Sequence, residues 1–256
     1  MADVLACIDH SAYANGVCDH AAWFASDPDV GVEVLHVETS SGAVPDGEAL
    51  DRERVSTRQL VDRSVARLRE EGVGPLSSAS VAGSFVEIAT QRGAAVIVMG
   101  KHGEGSAAER HSLGSNVEAM LRATSTPICL TAKLFLPIHR AVVLLDADTA
   151  HRTAVEFVVS QARLSPMPTD IVVVAAPGDD PDPKVTWARS ALGEPRGNVL
   201  SLVAEGLDDA VAQYMEAGAA DLVIVSRAVL TPAPESRLNR IEERGLWGAR
   251  TPVLVC

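Results

Sequence analysis

Excess positive charge is missing from this chain. The net charge is −12, so no basic stripe is available to meet phosphate backbones, and a nucleic-acid partner is not expected. Long apolar runs are missing as well. None approaches the roughly 18 residues of a membrane span, and the opening MADVLACIDH has neither a basic segment nor a long apolar one of the signal-peptide kind. Cysteines are few and scattered: Cys7, Cys18, Cys129 and Cys256 make no CxxC pair, and three of them sit in apolar, strand-like runs. They read as buried thiols in a reducing compartment. The expectation is a cytoplasmic protein with no membrane insertion. Catalytic signatures are also thin. There is no Walker loop of the form G-x4-G-K-[ST], no His spacing that suits a metal, and no Ser or Cys placed to partner a His.

What is present is a repeating α/β pattern. Hydrophobic residues make up 47% and charged residues 22% of the 256, an ordinary balance for a chain that buries a core. The stretch Ala94 to Asn116 organises the reading. Ala95-Val96-Ile97-Val98-Met99 is a short β-branched run, as expected of a strand buried on both faces of a parallel sheet. Gly100, Gly103, Gly105 and Gly114-Ser115 follow, and Val117, Met120 and Leu121 then recur at helical spacing. Glycines between a strand's carboxyl end and a helix's amino end let backbone approach a ligand closely or take positive φ. Free N–H groups and the helix dipole there favour an anion.

Upstream, Val4–Ile8 reads as a first strand ending in Asp9-His10-Ser11, with Ser11 a suitable N-cap for a helix in which Val17, Ala21, Phe24 and Ala25 recur until Asp27-Pro28 breaks it. Val32–Val37 is a second strand. A charged helix from about Glu48 to Glu71 buries Leu50, Leu60, Val61, Val65 and Leu68, and Gly72 is placed to stop it. Ser77–Ala82 is a third strand, Phe85–Gln91 a helix, and Thr126–Thr131 a last strand. The order βαβαβαβαβ predicts a doubly wound parallel sheet with helices on both faces.

After a linker at Lys133–Pro137 the pattern restarts. Arg140–Asp146 mirrors the strand before Asp9, 154–164 is a predicted helix, and Lys184–Leu192 is weakly helical. Gly218-Ala-Ala-Asp-Leu-Val-Ile-Val225 repeats Gly93-Ala-Ala-Val-Ile-Val-Met99, and Thr251-Pro-Val-Leu-Val255 repeats Thr126-Pro-Ile-Cys-Leu130. Like elements in like order at half the chain length mean two copies of one domain. The expected division is 1–133 and 138–256, each an α/β domain of five strands.

These residues resemble the universal stress protein family, as a tandem pair. That family's mark is G-x2-G-x9-G-[ST] after the fourth strand, with an aspartate after the first. Here Gly100-Lys-His-Gly103 supplies the first part and Gly114-Ser115 the last, with ten residues between Gly103 and Gly114. The resemblance implies an adenine nucleotide (ATP, ADP or AMP) in the first domain. Asp9 would lie at the ribose, Val37 at adenine, Met99 and Gly100 along the adenosine, and His102, Gly103, Gly114, Ser115 and Asn116 on the phosphate side, with Ser11 also among the binding residues. Glu104 and Glu109 lie within the cradle loop and repel phosphate, which favours AMP or ADP over ATP. Lys101 and Arg110 alternate with them to balance the field, and Mg²⁺ carried on the phosphates would serve the same end. The second domain has Ser226 to Pro234 where the glycines should be, with two prolines and no glycine. It is expected to bind no nucleotide through phosphates, although Asp146 remains.

The expected role is a regulatory binding protein with an unidentified protein partner. A slow ATPase or nucleotide-using transferase, and a nucleotide-free interaction module, are the alternatives. Against an adenylating enzyme, Asp9-His10-Ser11-Ala12 lacks the Gly/Ser-rich loop such an enzyme carries after its first strand. Gly103-x-Gly105-x-x-Ala108 fits a dinucleotide fingerprint but follows the fourth strand rather than the first. The family's habit of pairing through the last strand implies a pseudo-dimer of the two domains, with Ile128–Thr131 near Val253–Val255, and leaves a homodimer open.

Overall fold

The computed structural model describes residues 3–38, 47–103, 113–146, 152–192, 197–204, 207–217, 220–227 and 251–256. The chain divides into two compact units, Met1–Phe135 and Leu136–Cys256. Unit 1 runs β1 (Val4–Ile8), α1 (Ala14–Phe24), β2 (Val32–Glu38), α2 (Gly47–Glu70), β3 (Leu76–Ala82), α3 (Phe85–Gln91), β4 (Val96–Gly100), α4 (Ser115–Ala123) and β5 (Ile128–Thr131). Its strands lie in the order β3-β2-β1-β4-β5, all parallel. Unit 2 runs β6 (Ala141–Asp146), α5 (Thr153–Ser160), β7 (Thr169–Ala175), α6 (Asp182–Leu192), β8 (Val199–Val203), α7 (Leu207–Ala217), β9 (Leu222–Val225) and β10 (Val253–Val255). Its order is β8-β7-β6-β9-β10, again parallel. The two windings are the same, strand for strand. Gly218, which opens the repeated segment, lies outside the described residues.

The central strands are buried from end to end, which is why they read as unbroken apolar runs rather than alternating ones. Leu5, Ala6, Val34, Leu35 and Val98 have no exposed surface in unit 1, nor do Val143, Leu144, Ile171, Val172 and Ile224 in unit 2. The cysteines are all free and buried. In unit 1, α1 packs on α2 and α3 on α4. Crossovers that run right-handed put the first pair on one face of the sheet and the second pair on the other.

Several ends differ from expectation, each for a local reason. Helix α1 starts at Ala14, three residues after Ser11, and Tyr13 takes the cap position without a side-chain bond. Ser11 instead accepts from the Tyr13 N–H at 3.2 Å, so it closes a turn rather than capping a helix. Helix α5 ends at Ser160, short of Leu164, because the Gln161 side-chain oxygen takes the N–H groups of Arg163 and Leu164. Helix α2 buries Thr57, Leu60, Val61, Ser64 and Leu68, while Val65 is half-exposed and Val55 is 58% exposed; the Leu50 side chain lies outside the described residues. Its stop is a Schellman motif: Gly72 has φ +79°, its N–H donates to Arg69 O, and the Val73 N–H reaches Leu68 O. An ion pair, Arg67 Nη2 to Asp19 Oδ2 at 2.8 Å, ties α2 to α1. Among the described residues no helix is long and apolar enough to cross a membrane.

Helix α1 lies very close to the chain just after β5. A Cβ on Gly16 would collide with the Ala132 carbonyl oxygen and sit 3.0 Å from that of Lys133. Both are backbone atoms and cannot swing aside. Gly16→Ala is therefore expected to destabilise the fold by about 2 kcal/mol or more, as overpacking does. Gly31→Ala is the control, since its nearest neighbour would be Pro75 O at 3.6 Å. Urea midpoints of the two variants against the parent chain measure the difference.

Candidate functional site

In a sheet ordered 3-2-1-4-5, the crossovers from β1 and from β4 leave toward opposite sides. The loops after those two strands therefore part, and a crevice opens at their carboxyl ends. Here that crevice is a cavity of about 260 Å³. Its wall holds Asp9, Val37, Met99, Gly100, His102, Gly103, Gly114, Ser115 and Asn116. Each was expected at a nucleotide site from the sequence. Ser11 does not line the cavity.

Asp9 follows the last residue of β1. Its Oδ1 accepts from the Ser11 N–H at 3.0 Å, so one carboxylate oxygen shapes the turn. The other oxygen, Oδ2, lies 3.0 Å from where a Cβ on Gly103 would be. Asp9 is thus both a turn former and a wall of the cradle. Across the crevice, Gly114 is the N-cap of α4 at φ −63° and ψ 146°, held by its N–H to Lys101 O at 3.0 Å. Ser115 and Asn116 are the first residues of that helix, so their N–H groups have no intrahelical acceptor and carry the dipole's positive end.

The glycines do not serve the left-handed backbone. Among the described glycines positive φ occurs at Gly72, Gly83, Gly93 and Gly178, none of them in the cradle. What Gly100 and Gly103 provide is room. A Cβ on Gly100 would sit 2.7 Å from Tyr13 Cβ, and one on Gly103 would press on Asp9. Gly105, Glu104, Glu109 and Arg110 of the expected loop lie outside the described residues.

Lys101 is a correction. It was expected to face the cradle as a counter-charge to Glu104 and Glu109, but its side chain is only 1% exposed. Burial pushes its ammonium down to about 8, partly offset by the neighbouring Cys129 thiol of β5. His102 remains at the cavity wall, its ring 5.9 Å from that of Tyr13. Burial, then the charges of Lys101 and Lys133, lower its pKa, so its neutral form is favoured. Lys133 Nζ stands 5.4 Å from the Tyr13 ring centre, and its charge reaches His102, a cation that the glycine motif did not indicate.

Sequence reasoning also missed the other wall. His10, His36, Glu38, Glu53, Thr57 and Phe85 line the cavity too. His36 is buried beside β1 and donates from Nδ1 to Ile8 O at 3.1 Å. Glu38 accepts from Ser80 Oγ at 3.3 Å. Glu53 and Thr57 come from α2, one turn apart. A pair spaced i, i+4 on one helix face was the available signal, but nothing local tied that face to the crevice. Among the described residues no group of three His, Cys, Asp or Glu side chains is arranged to hold a metal.

At the matching edge of unit 2, Asp146 is 6% exposed and Ser226 Oγ lies 3.3 Å from Thr153 Oγ1. The loop there, including Pro232, Pro234, Arg237, Asn239 and Arg240, falls outside the described residues.

The fold is thus a doubly wound parallel sheet with a carboxylate and a helix amino terminus lining one crevice. The universal stress protein family model matches residues 1–131, and the chain belongs to that family. A curated relative, the universal stress protein Slr1230 of Synechocystis sp. (strain ATCC 27184 / PCC 6803 / Kazusa), is 25% identical over an alignment spanning 88% of this chain and 89% of that one. Among solved structures, a universal stress protein from Archaeoglobus fulgidus DSM 4304 matches with a TM-score of 0.66 at 15% identity, covering 99% of this chain and 95% of that chain. A putative universal stress protein from Pseudomonas aeruginosa UCBPP-PA14 matches at 0.62 and 14%, covering 98% and 91%. The structural matches show the fold.

The buried lysine makes a prediction. A Lys whose folded pKa falls to about 8 from 10.5 has shed its proton in the folded chain while the unfolded chain still holds one. Between those pH values the unfolded state binds more protons, so this group's contribution to stability rises with pH. The buried thiols Cys7, Cys18 and Cys256 are all pushed up from 9.0 by burial and act in the opposite sense above that pH. Comparison with Lys101→Met cancels them. The parent chain is expected to gain stability relative to Lys101→Met as the pH rises from about 8 to 10.5, measured by urea unfolding at each pH.

Proposed function

We propose that unit 1 binds one adenine nucleotide and that the chain acts as a regulatory binding protein whose occupied state is read by another protein. The observation that carries this is the single crevice in which Asp9, the Gly100–Gly103 segment and the start of α4 meet. A carboxylate at the end of β1 suits two ribose hydroxyls. The backbone at Val37 suits the edge of adenine, and the open N–H groups at Ser115 and Asn116 suit phosphate. A cavity of about 260 Å³ lies just below the usual size of ligand pockets, roughly 300–1,000 Å³. With Glu38 and Glu53 on its wall, that favours AMP or ADP over ATP. Mg²⁺ would arrive on the phosphates rather than in a cage of side chains.

Unit 2 is proposed to hold no nucleotide through phosphates. Its sequence has no glycine in the counterpart loop, and Asp146 is more enclosed than Asp9. Turnover is not part of this reading. A phosphate-release assay with Mg-ATP separates binding from slow hydrolysis, and native mass spectrometry of the purified chain separates it from an empty interaction module.

Calorimetric titration with AMP, ADP and ATP is expected to give one site per chain. Asp9→Ala, Gly103→Ala and Gly114→Val should each weaken binding tenfold or more, which is about 1.4 kcal/mol. The Gly103 variant acts by pressing on Asp9 Oδ2. The Gly114 variant keeps ordinary contacts at Cβ, the nearest being Gly103 N at 3.4 Å, and fills the cradle with its methyls. Unchanged affinity in all three, or two nucleotides per chain, would refute the assignment.

A further inference from the structure

We propose that the outer edge of β8 is a self-association surface that takes a second copy of this chain by antiparallel strand pairing about a two-fold axis at Ser201. Strand β8 ends the sheet order of unit 2 and among the described residues pairs only with β7. In a parallel ladder, alternate residues turn their N–H and C=O groups to alternate sides. The Ile171 N–H donates to Asn198 O, and the Ala204 N–H donates to Ala175 O. Residues 198 and 204 therefore face β7, as do 200 and 202 between them. Val199, Ser201 and Val203 present their backbone groups outward.

The sequence of the strand is a palindrome, Val199-Leu200-Ser201-Leu202-Val203. Turned about a two-fold axis at Ser201, it sets Val199 opposite Val203, Leu200 opposite Leu202, and Ser201 opposite its own copy. The outward residues then meet only outward residues. Three such pairs, each exchanging two N–H···O bonds, make roughly six bonds across the axis. Opposed side chains point to the same face in antiparallel pairing, so valines meet valines and leucines meet leucines.

Exposure and charge point the same way. Leu200 is 43% and Val203 59% exposed, two of the few large apolar side chains left in solvent. The strand carries no charge, proline or bulge to blunt its edge. In a chain of net charge −12, that places no like charges against each other at the axis. The edge at the other end of the order of unit 1, β3, is not built this way. Its sequence, LSSASVA, is no palindrome and carries serines at exposed positions.

The test uses the full chain. Ser201 becomes Cys in one variant, and Ser78, an exposed serine on β3, becomes Cys in a control. The native cysteines are buried and do not compete. Cα atoms of a hydrogen-bonded antiparallel pair lie about 5.5 Å apart, within disulfide range. Mild oxidation is expected to convert Ser201→Cys to a covalent dimer at least tenfold faster than Ser78→Cys. In sedimentation velocity the parent chain should shift from monomer to dimer with rising concentration. Ser201→Lys, which opposes two cations at the axis, and Ser201→Pro, which removes an outward donor and no bond to β7, should each abolish that shift. Circular dichroism melts check that both remain folded. A parent chain that stays monomeric, a dimer that survives both substitutions, or equal cross-linking of the two cysteine variants overturns the proposal.

Discussion

Strand β1 is the constraint on which unit 1 depends. It pairs with β2 on one side and β4 on the other, Cys7 lying against Leu35 and against Met99. All five of its residues are buried, so it has no solvent face. A one-residue slip would exchange its two faces against two different sets of neighbours. That fixes the height at which β1 ends, and so the height of Asp9. The parallel pairing with β4 fixes Gly100 beside it. The crevice is a consequence of winding, and the chemistry in it is a consequence of which residues stand one step past each strand.

This explains what was legible in the sequence. Strands buried on both faces leave a strong trace, because a doubly covered strand needs consecutive apolar residues. Val96-Ile97-Val98-Met99 and Leu222-Val223-Ile224-Val225 could not be mistaken for half-buried strands. Residues that follow such strands inherit their placement, so Asp9, Val37 and Gly100 could be located at one sheet edge without coordinates. Gly114 and Ser115 could be placed at a helix start by composition alone. Residues delivered by a distant helix leave no comparable trace. Thr57 is 3% exposed and lines the cavity, yet a Thr in a charged helix reads as solvated. Lys101 failed for a related reason. A Lys between glycines reads as an exposed loop charge, and only the packing beside Cys129 shows that it turns inward. The reason for the glycines was also hidden. Gly100 is required by Tyr13, a contact between segments that sequence spacing does not display.

Beneath the cradle the fold carries polar groups that a purely apolar core would avoid. His20 donates from Nδ1 to Gly16 O at 2.6 Å and stacks edge-on against Phe135, while its Nε2 is buried without a partner. Thr131 Oγ1 is likewise buried and unpartnered at the end of β5, next in register to Gly100. Such groups cost stability. Burial lowers the pKa of His20, so the ring is held neutral and the cost stays that of a polar atom rather than a charge. Burial likewise lowers the pKa of Lys101, to about 8, so its ammonium sheds its proton more readily than an exposed one.

Duplication preserved the winding and changed the chemistry at the edge. In unit 2 the carboxylate corresponding to Asp9 is Asp146, and its field reaches Lys184. Lys184 and Arg152 both stand against Trp187, Arg152 at 4.6 Å from the ring centre. The second copy thus sets the charge of Lys184 within reach of its carboxylate, whereas the first sets Asp9 against a turn and a glycine. The sheet tolerates this exchange because the strands' interior residues and the residues one step past their ends answer to different requirements: packing for the former, ligand chemistry for the latter. Released from the second requirement, a duplicated domain can keep its core intact and still diverge at every position that faces the crevice.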